Sequence, residues 1–349
     1  MSGRLRVVIA SYLGEKHCAR IEQIEPRVQV ICDQSLLRPP RFPGDHRGDP
    51  TFARSAQQQA RFLDLVDSAD ALYGLPDESP AGLRRTVDAN PRLRWVHTTR
   101  AGGGEQVKAA ELDDNSLQRV AFTTSAGVHA DPLAEFAVLG VLAGAKNLDR
   151  LQALQRRHEW ALPWAMGRVS RQRAVVIGLG AIGRAVAAKL DALGADVIGV
   201  HRRPIVSPGL RRVVPVSGLA TVLPTADSVI MALPATASTF QLFDRQMFSV
   251  LKAGATFVNV GRGTTVDEDE LINALCRGQV GFAALDVFSC EPLPISSRLW
   301  ELPNVIISPH SASSTTEEDG LIAELFADNA SRLLDDAPMR NIVNTDEFY

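Results

Sequence analysis

The sequence predicts an α/β fold of two doubly wound parallel sheets, one domain inserted into the other. Three observations carry this reading. Strand-like apolar runs alternate with helical patterns through the first 130 residues, as they do when both faces of a parallel sheet are covered. The alternation restarts at Arg173 and continues to about residue 307. The chain then returns to a single helical pattern over 316–334 and a tail over 338–344. The expected boundaries are 1–130 with 314–349 for the outer domain and 131–313 for the inserted one. A cleft is expected where the chain crosses near Asp131 and again over 310–316, and substrate is expected to sit there.

Composition narrows the function classes. A chain of 349 residues with 45% hydrophobic and 22% charged residues has the make-up of an ordinary globular protein with room for two cores. The formal net charge of −3 gives no basic field for nucleic acid or an anionic membrane. Cys18, Cys32, Cys276 and Cys290 show neither CxxC nor metal-ligand spacing, so reduced thiols, no metal and a cytoplasmic setting are expected. The short apolar run 7–10 after Arg4 and Arg6 reads as a first strand rather than a secretion signal. No run approaches the roughly 18–20 residues of a membrane span.

The elements follow in order. Strands are expected at 5–10, 28–32, 71–74, 94–98 and 120–123, with helices at 15–23, 52–66 and 81–89 and another after the glycine-rich turn 101–104. The stretch 38–50 is a loop by its prolines and glycines. Residues 131–157 read as one long helix, with Asp131 as N-cap and Pro132 at the first helical position. Its apolar residues cover most of its surface, as in a helix buried between domains or subunits. The stretch 158–170, with Trp160 and Trp164, is irregular; it reads equally as an arm on a partner chain and as a self-packed loop. Further strands are expected at 174–177, 196–200, 213–215, 228–232, 256–259, 281–284 and 305–307.

The first of these runs leads into Gly178-Leu-Gly-Ala-Ile-Gly183, and an alanine-rich helical pattern follows. A strand, this glycine spacing and a helix opening together signify dinucleotide binding, and so a Rossmann-like domain. Gly178 permits the turn, Gly180 admits a pyrophosphate to the backbone, and Gly183 lets helix and strand pack closely. Ala181 and Ile182 open the helix, whose free N–H groups and partial positive charge suit phosphates.

Three later strand ends carry reactive side chains: Arg262, Glu291 and His310. Ligands of open parallel sheets bind at such ends. A guanidinium can grip a carboxylate and polarise a neighbouring carbonyl. An imidazolium can donate a proton to that oxygen as hydride reaches carbon. A carboxylate beside the imidazole fixes its tautomer and tilt. The set suits reduction of a 2-oxo acid.

These motifs resemble the D-isomer-specific 2-hydroxyacid dehydrogenase family. The likeness is dense from Gly178 to Ala312, through Asn259-Val-Gly-Arg-Gly-Thr-Thr-Val-Asp267, Ala284-Leu-Asp-Val-Phe-Ser-Cys-Glu-Pro-Leu293 and Leu299-Trp-Glu-Leu-Pro-Asn-Val-Ile-Ile-Ser-Pro-His310. Over the first 90 residues it is one of pattern only. The resemblance implies the inserted architecture, a flavodoxin-like substrate domain and a homodimer. It also implies roles. Arg262 would bind the substrate carboxylate and carbonyl. His310 would act as acid in reduction and base in oxidation, bonded to Glu291. Asp286 and the Val260 backbone would lie near the nicotinamide carboxamide, and Leu233 and Pro234 by the adenosine. The loop Arg100-Ala-Gly-Gly-Gly-Glu105 would bind the substrate carboxylate through the Gly102 and Gly103 amides, with Arg100 beside them.

The chain departs from the family's pattern at two places. The substrate loop carries Arg100 and a third glycine, Gly104, where many members have a small residue, then Gly-Val-Asp. After the second strand of the cofactor domain, NAD-using members place an aspartate for the ribose hydroxyl; this chain has His201-Arg202-Arg203. Two guanidiniums suit a 2′-phosphate, so NADP(H) is expected over NAD(H). The resulting expectation is an NAD(P)H-dependent reductase of a glyoxylate- or hydroxypyruvate-type acid, forming the D-hydroxy acid. Two alternatives remain. One is a phosphoglycerate dehydrogenase-like enzyme, for which Arg100 is the only evident basic residue for the distal phosphate. The other is a non-catalytic, nucleotide-sensing protein like the family's co-repressor members.

Overall fold

The computed structural model describes residues 4–346 and 348. The chain divides into two compact units: one runs up to His129 and resumes at Ser314, and the other is Ala130–Ser313.

The first unit holds strands β1 (Leu5–Ile9), β2 (Val28–Ile31), β3 (Ala71–Tyr73), β4 (Trp95–Thr98) and β5 (Ala121–Thr124). Its helices are α1 (Glu15–Ile24), α2 (Ala56–Asp67), α3 (Pro80–Ala89), α4 (Gly104–Ala109) and α5 (Asp114–Arg119). The five strands form one parallel sheet in the order β2-β1-β3-β4-β5, the flavodoxin-like order. Near-continuous burial of Val7, Val8 and Ile9, and of Ala71, Leu72 and Tyr73, is what a sheet covered on both faces requires. Helix α2 begins at Ala56, later than its apolar pattern suggests, because Ser55 and Gln58 form a capping box that defines the first turn. The proline-rich loop 38–50 is ordered by Asp45, whose carboxylate accepts from Arg41 Nε at 2.6 Å and from the Gly48 amide at 3.2 Å.

The second unit begins with helices α6 (Ala130–Ala145) and α7 (Leu148–Arg156). The single helix expected over 131–157 is therefore two. Asn147 takes a left-handed conformation (φ 53°) between them, which asparagine tolerates better than most residues. Nor is Asp131 the N-cap: the helix starts one residue earlier, and the Asp131 carboxylate pairs with Lys189 at 2.9 Å. Part of the apolar surface of α6 packs within its own unit, while Leu139 is 49% exposed. Leu133, Ala137 and Val141 join a core with Val176, Val258 and Ala284, and Gly140 lets the helix lie against Val258 and Ala284. The 158–170 stretch is partly self-packed. The Trp164 indole donates to Asn147 Oδ1 at 3.1 Å, and the Arg150 guanidinium lies 4.0 Å from its ring centre. Trp160 is fully exposed.

The rest of this unit comprises β6 (Arg173–Ile177), α8 (Ala181–Ala192), β7 (Asp196–Val200), β8 (Arg212–Val214), α9 (Leu219–Val222), β9 (Ser228–Met231), α10 (Arg245–Ser249), β10 (Ala255–Asn259), α11 (Glu268–Cys276), β11 (Val280–Leu285) and β12 (Val305–Ile307). All seven strands are parallel, in the order β12-β11-β10-β9-β6-β7-β8. The order reverses between β6 and β9, the crevice where nucleotides bind in doubly wound sheets.

The chain returns to the first unit as α12 (Glu318–Leu334). Phe326 of this helix stacks on Trp95, with ring centres 4.3 Å apart, and closes one face of the sheet. Past it, the Val343 amide bonds to Phe122 O at 2.8 Å, which pins the tail to β5. Among the described residues, no helix is long and apolar enough to cross a membrane.

Candidate active site

The glycine turn follows β6 at the point where the sheet order reverses. Gly178 has φ +96°, and a Cβ there would come within 2.6 Å of Ala232 O. A Cβ at Gly183 would overlap Gly178 O, so any side chain would force α8 off the strand. A Cβ at Gly180 would meet nothing within 4 Å. The first and third glycines are thus demanded by the protein's own packing, while the second borders open space. Helix α8 opens directly after it at Ala181 and Ile182, with no side-chain cap and no acidic residue in its first turn. Its unpaired amides and positive dipole end fit a pyrophosphate.

Strand β7 lies beside β6 with Val200 opposite Ile177, so His201, Arg202 and Arg203 flank the glycine turn. The His201 ring nitrogen Nδ1 lies 3.2 Å from the Arg203 amide nitrogen and 3.0 Å from its carbonyl oxygen, which folds this segment into a tight turn. Arg202 and Arg203 are exposed there. On the other side of β6, Leu233 and Pro234 follow β9 and Val260 follows β10, whose amide bonds to Met231 O at 3.0 Å. The residues present fit a dinucleotide along this edge.

The reactive side chains stand further along the same edge. His310 follows β12 in a left-handed conformation (φ 55°). Its Nδ1 lies 2.7 Å from Glu291 Oε2. The other oxygen of Glu291 accepts from the Phe288 amide at 3.0 Å. Burial opposes ionisation of Glu291. The hydrogen bonds from His310 and Phe288, with the charges of His310 and Arg262, outweigh it and hold the carboxyl below its usual range. An ionised carboxylate only accepts, so Nδ1 carries the proton and Nε2 is the nitrogen left for exchange.

Arg262 follows β10. Its Nη1 donates to Gly261 O at 2.9 Å. The buried Asn259, which the sequence reading did not single out, shapes this turn: its Nδ2 donates to Arg262 O at 3.1 Å and its Oδ1 accepts from the Gly261 amide at 3.1 Å. A polar residue ending an otherwise apolar strand was the available signal. Asp286 is buried, and burial raises its carboxyl above the ordinary range despite its hydrogen bonds. One of its oxygens accepts from Ser308 Oγ at 2.7 Å and from the Ser311 and Ala312 amides at 3.0 Å each. Asp286 therefore ties down the turn that carries His310.

In the first unit, Arg100 follows β4, with Gly102 and Gly103 after it. A Cβ at Gly103 would overlap the Thr98 hydroxyl, so the turn needs glycine there. The Gly103 amide closes that turn onto Arg100 O at 3.3 Å.

The comparisons with known proteins agree with this geometry. Residues 138–312 match the family described as D-isomer specific 2-hydroxyacid dehydrogenase, NAD binding domain. Glyoxylate/hydroxypyruvate reductase B of Escherichia fergusonii is 28% identical over 295 residues, which cover 83% of this chain and 89% of that protein. The reductase of the same name from Citrobacter koseri is 31% identical over 282 residues, covering 79% and 85%. A crystal structure of a D-isomer specific 2-hydroxyacid dehydrogenase from Xanthobacter autotrophicus, in complex with NADPH and MES, superposes with a TM-score of 0.78 at 27% identity over 99% of each chain. The chain belongs to the D-isomer specific 2-hydroxyacid dehydrogenase family.

Proposed function

We propose that this chain is an NAD(P)H-dependent oxidoreductase that reduces a small 2-oxo acid of the glyoxylate or hydroxypyruvate type to its D-2-hydroxy acid, with NADP(H) preferred and NAD(H) possible. The observation that carries the reading is the 2.7 Å pair of His310 and Glu291 on the sheet edge that also presents the glycine turn. A bound nicotinamide supplies the hydride. His310 Nε2 delivers the proton to the carbonyl oxygen in reduction and takes it back in oxidation, while Glu291 holds the ring and fixes its tautomer. Arg262 binds the substrate carboxylate and polarises the carbonyl. Arg100, with the Gly102–Gly103 turn behind it, adds further substrate contacts. Gly178, Gly180, Ala181, Ile182 and Gly183 cradle the pyrophosphate. Leu233 and Pro234 line the adenosine side, and Val260 and Asp286 lie near the carboxamide. The names of the reductase relatives and the NADPH complex of the Xanthobacter enzyme support the substrate class and the cofactor.

For the cofactor preference, His201 and the exposed guanidiniums of Arg202 and Arg203 stand where a ribose-binding carboxylate would otherwise be. The test follows absorbance of NADPH and NADH with glyoxylate, hydroxypyruvate and pyruvate. We expect turnover with NADPH and a kcat/KM ratio favouring NADPH. The ratio should fall by about 100-fold or more in the Arg202→Ala, Arg203→Ala double variant, since each charge-assisted bond to phosphate is worth about 1.5–3 kcal/mol and two are lost. An unchanged ratio would remove these arginines from the site. Tight NADPH binding with no turnover on any 2-oxo acid would favour a sensor instead.

We also propose a cytoplasmic homodimer. Trp160 is fully exposed and Leu162 is 86% exposed, on a stretch most of whose residues are exposed and which Trp164 ties to its own chain. Light scattering should give about twice the 37.7 kDa chain mass and a weaker dimer for Trp160→Ser with Leu162→Ser. A monomer at all concentrations would refute it.

A further inference from the structure

Two cysteines far from the nucleotide edge meet within the first unit. Helix α1 opens after Gly14 and buries Cys18 and Ile21 in the core. Cys32 follows β2, the edge strand of the same sheet, and is partly exposed. One carbonyl and one side-chain amide link the two sulfurs. Leu13 O, in the turn between β1 and α1, accepts from Cys18 Sγ at 3.6 Å and from Gln34 Nε2 at 2.6 Å. Gln34 Nε2 lies 3.3 Å from Cys32 Sγ. The Cys18 thiol carries one proton, and Leu13 O and Cys32 Sγ are both acceptors within its hydrogen-bonding reach.

This contact makes the two thiols unequal. A thiolate at Cys32 is held by the Cys18 thiol and the Gln34 amide. The hydrogen bond from Cys18 lowers the Cys32 thiol below its ordinary range, outweighing burial and the charges of Asp33 and Glu15. The same bond, together with burial, raises Cys18. The partly exposed member is therefore the nucleophile, because the thiolate is the reactive form of cysteine. The buried member stays protonated beside it. An accessible thiol of lowered pKa next to a second thiol is the arrangement in which oxidation ends in a disulfide. A buried cysteine with no such neighbour behaves as a small apolar side chain.

We propose that Cys18 and Cys32 form a peroxide-responsive thiol pair, reduced at rest and reversibly oxidised to a disulfide that ties α1 to the end of β2. The Cys32 thiolate attacks one oxygen of hydrogen peroxide. The O–O bond breaks, the departing hydroxide takes up a proton as water, and Cys32 becomes a sulfenic acid. Cys18 sulfur then attacks the Cys32 sulfur. The S–O bond breaks, the Cys18 proton leaves with the hydroxyl as a second water, and the S–S bond forms. Two thiols are oxidised and one peroxide is reduced to two waters. A dithiol reductant reverses the change by thiol–disulfide exchange. In a reducing compartment such a bond is transient and reports on oxidant.

The test treats the reduced full-length chain with hydrogen peroxide, blocks the remaining thiols with an alkylating agent in denaturant, and maps peptides without reduction. The Cys18 and Cys32 peptides should be found joined, with the loss of two hydrogens, and a dithiol should separate them again. The exposed Cys276 and Cys290 are internal controls. The link should form faster in the folded chain than in guanidinium, where the contact is lost. In Cys18→Ser, Cys32 should stop at the sulfenic acid and be captured by dimedone. In Cys32→Ser, Cys18 should remain a thiol. Circular dichroism reports whether each variant is folded, and the wild-type comparison stands without the variants. Alkylation of both Cys18 and Cys32 at a peroxide dose that oxidises Cys276 and Cys290 would overturn the proposal. So would a link that forms equally fast in guanidinium, or oxidation of Cys18 in folded Cys32→Ser.

Discussion

His310→Ala should lower kcat by about 10²- to 10⁴-fold, the usual worth of a positioned general acid, with little change in KM for NADPH. The imidazole is the group that moves a proton, and its Nδ1 is committed to Glu291 at 2.7 Å. Only Nε2 is left to reach substrate. Removing the ring deletes the proton donor and leaves Glu291 half-buried without its partner. The measurement is steady-state turnover of glyoxylate or hydroxypyruvate with NADPH. Turnover within a few-fold of wild type would sink the assignment of His310.

Glu318→Gln should destabilise the first unit by about 3–5 kcal/mol, the usual cost of breaking a buried ion pair, with an effect that depends on pH. Glu318 is buried at the start of α12, and its Oε1 meets His129 Nε2 at 2.8 Å and His46 Nε2 at 3.0 Å. A Cβ at Gly44 would come 2.5 Å from its other oxygen, so that position needs glycine. Burial raises the Glu318 carboxyl, but the two histidines outweigh it and bring it down to about 2 from 4.5. Burial lowers His46, but the Glu318 hydrogen bond and the charges of Glu318, Glu78 and Asp319 outweigh it and raise it above 6.5. A depressed carboxyl contributes stability above its unfolded value of 4.5, and this is lost as pH falls toward 2. A raised histidine contributes below its unfolded value of 6.5, and this is lost as pH rises through its folded value. The difference between wild type and variant should therefore peak between about pH 4.5 and 6.5 and shrink on both sides. Hydrogen exchange of the α12 amides across this range reads it locally. A difference that is flat with pH would remove the cluster from the account.

The cluster was invisible in the sequence because its members are far apart. His46 is in a loop, His129 is at a unit boundary and Glu318 is in the last helix, and no spacing rule links them. The strands were legible for the opposite reason. Burial on both faces writes a continuous apolar run that needs no tertiary knowledge, as in Val175-Val176-Ile177 and Phe257-Val258. Helix limits were less legible where a single residue decided them. Asn147 breaks the expected long helix because its own conformation and the Trp164 indole compete with continued winding. The 52–66 helix starts late because a side-chain cap at Ser55, rather than the apolar period, sets its first turn.

Helices α5, α9, α10 and α11 were not read from the sequence. By itself it determined which strands form and where most of the longer helices run, where the glycine turn lies, and which chemically active residue types stand at strand ends. These are local properties, written in periodicity, glycine placement and the residue that follows each strand. Only the tertiary structure decided which groups meet. The bond between His310 and Glu291 and the burial of Glu318 between two histidines depend on strand order and loop closure. Those bring residues tens to hundreds of positions apart within ångströms, and no local pattern encodes such distances.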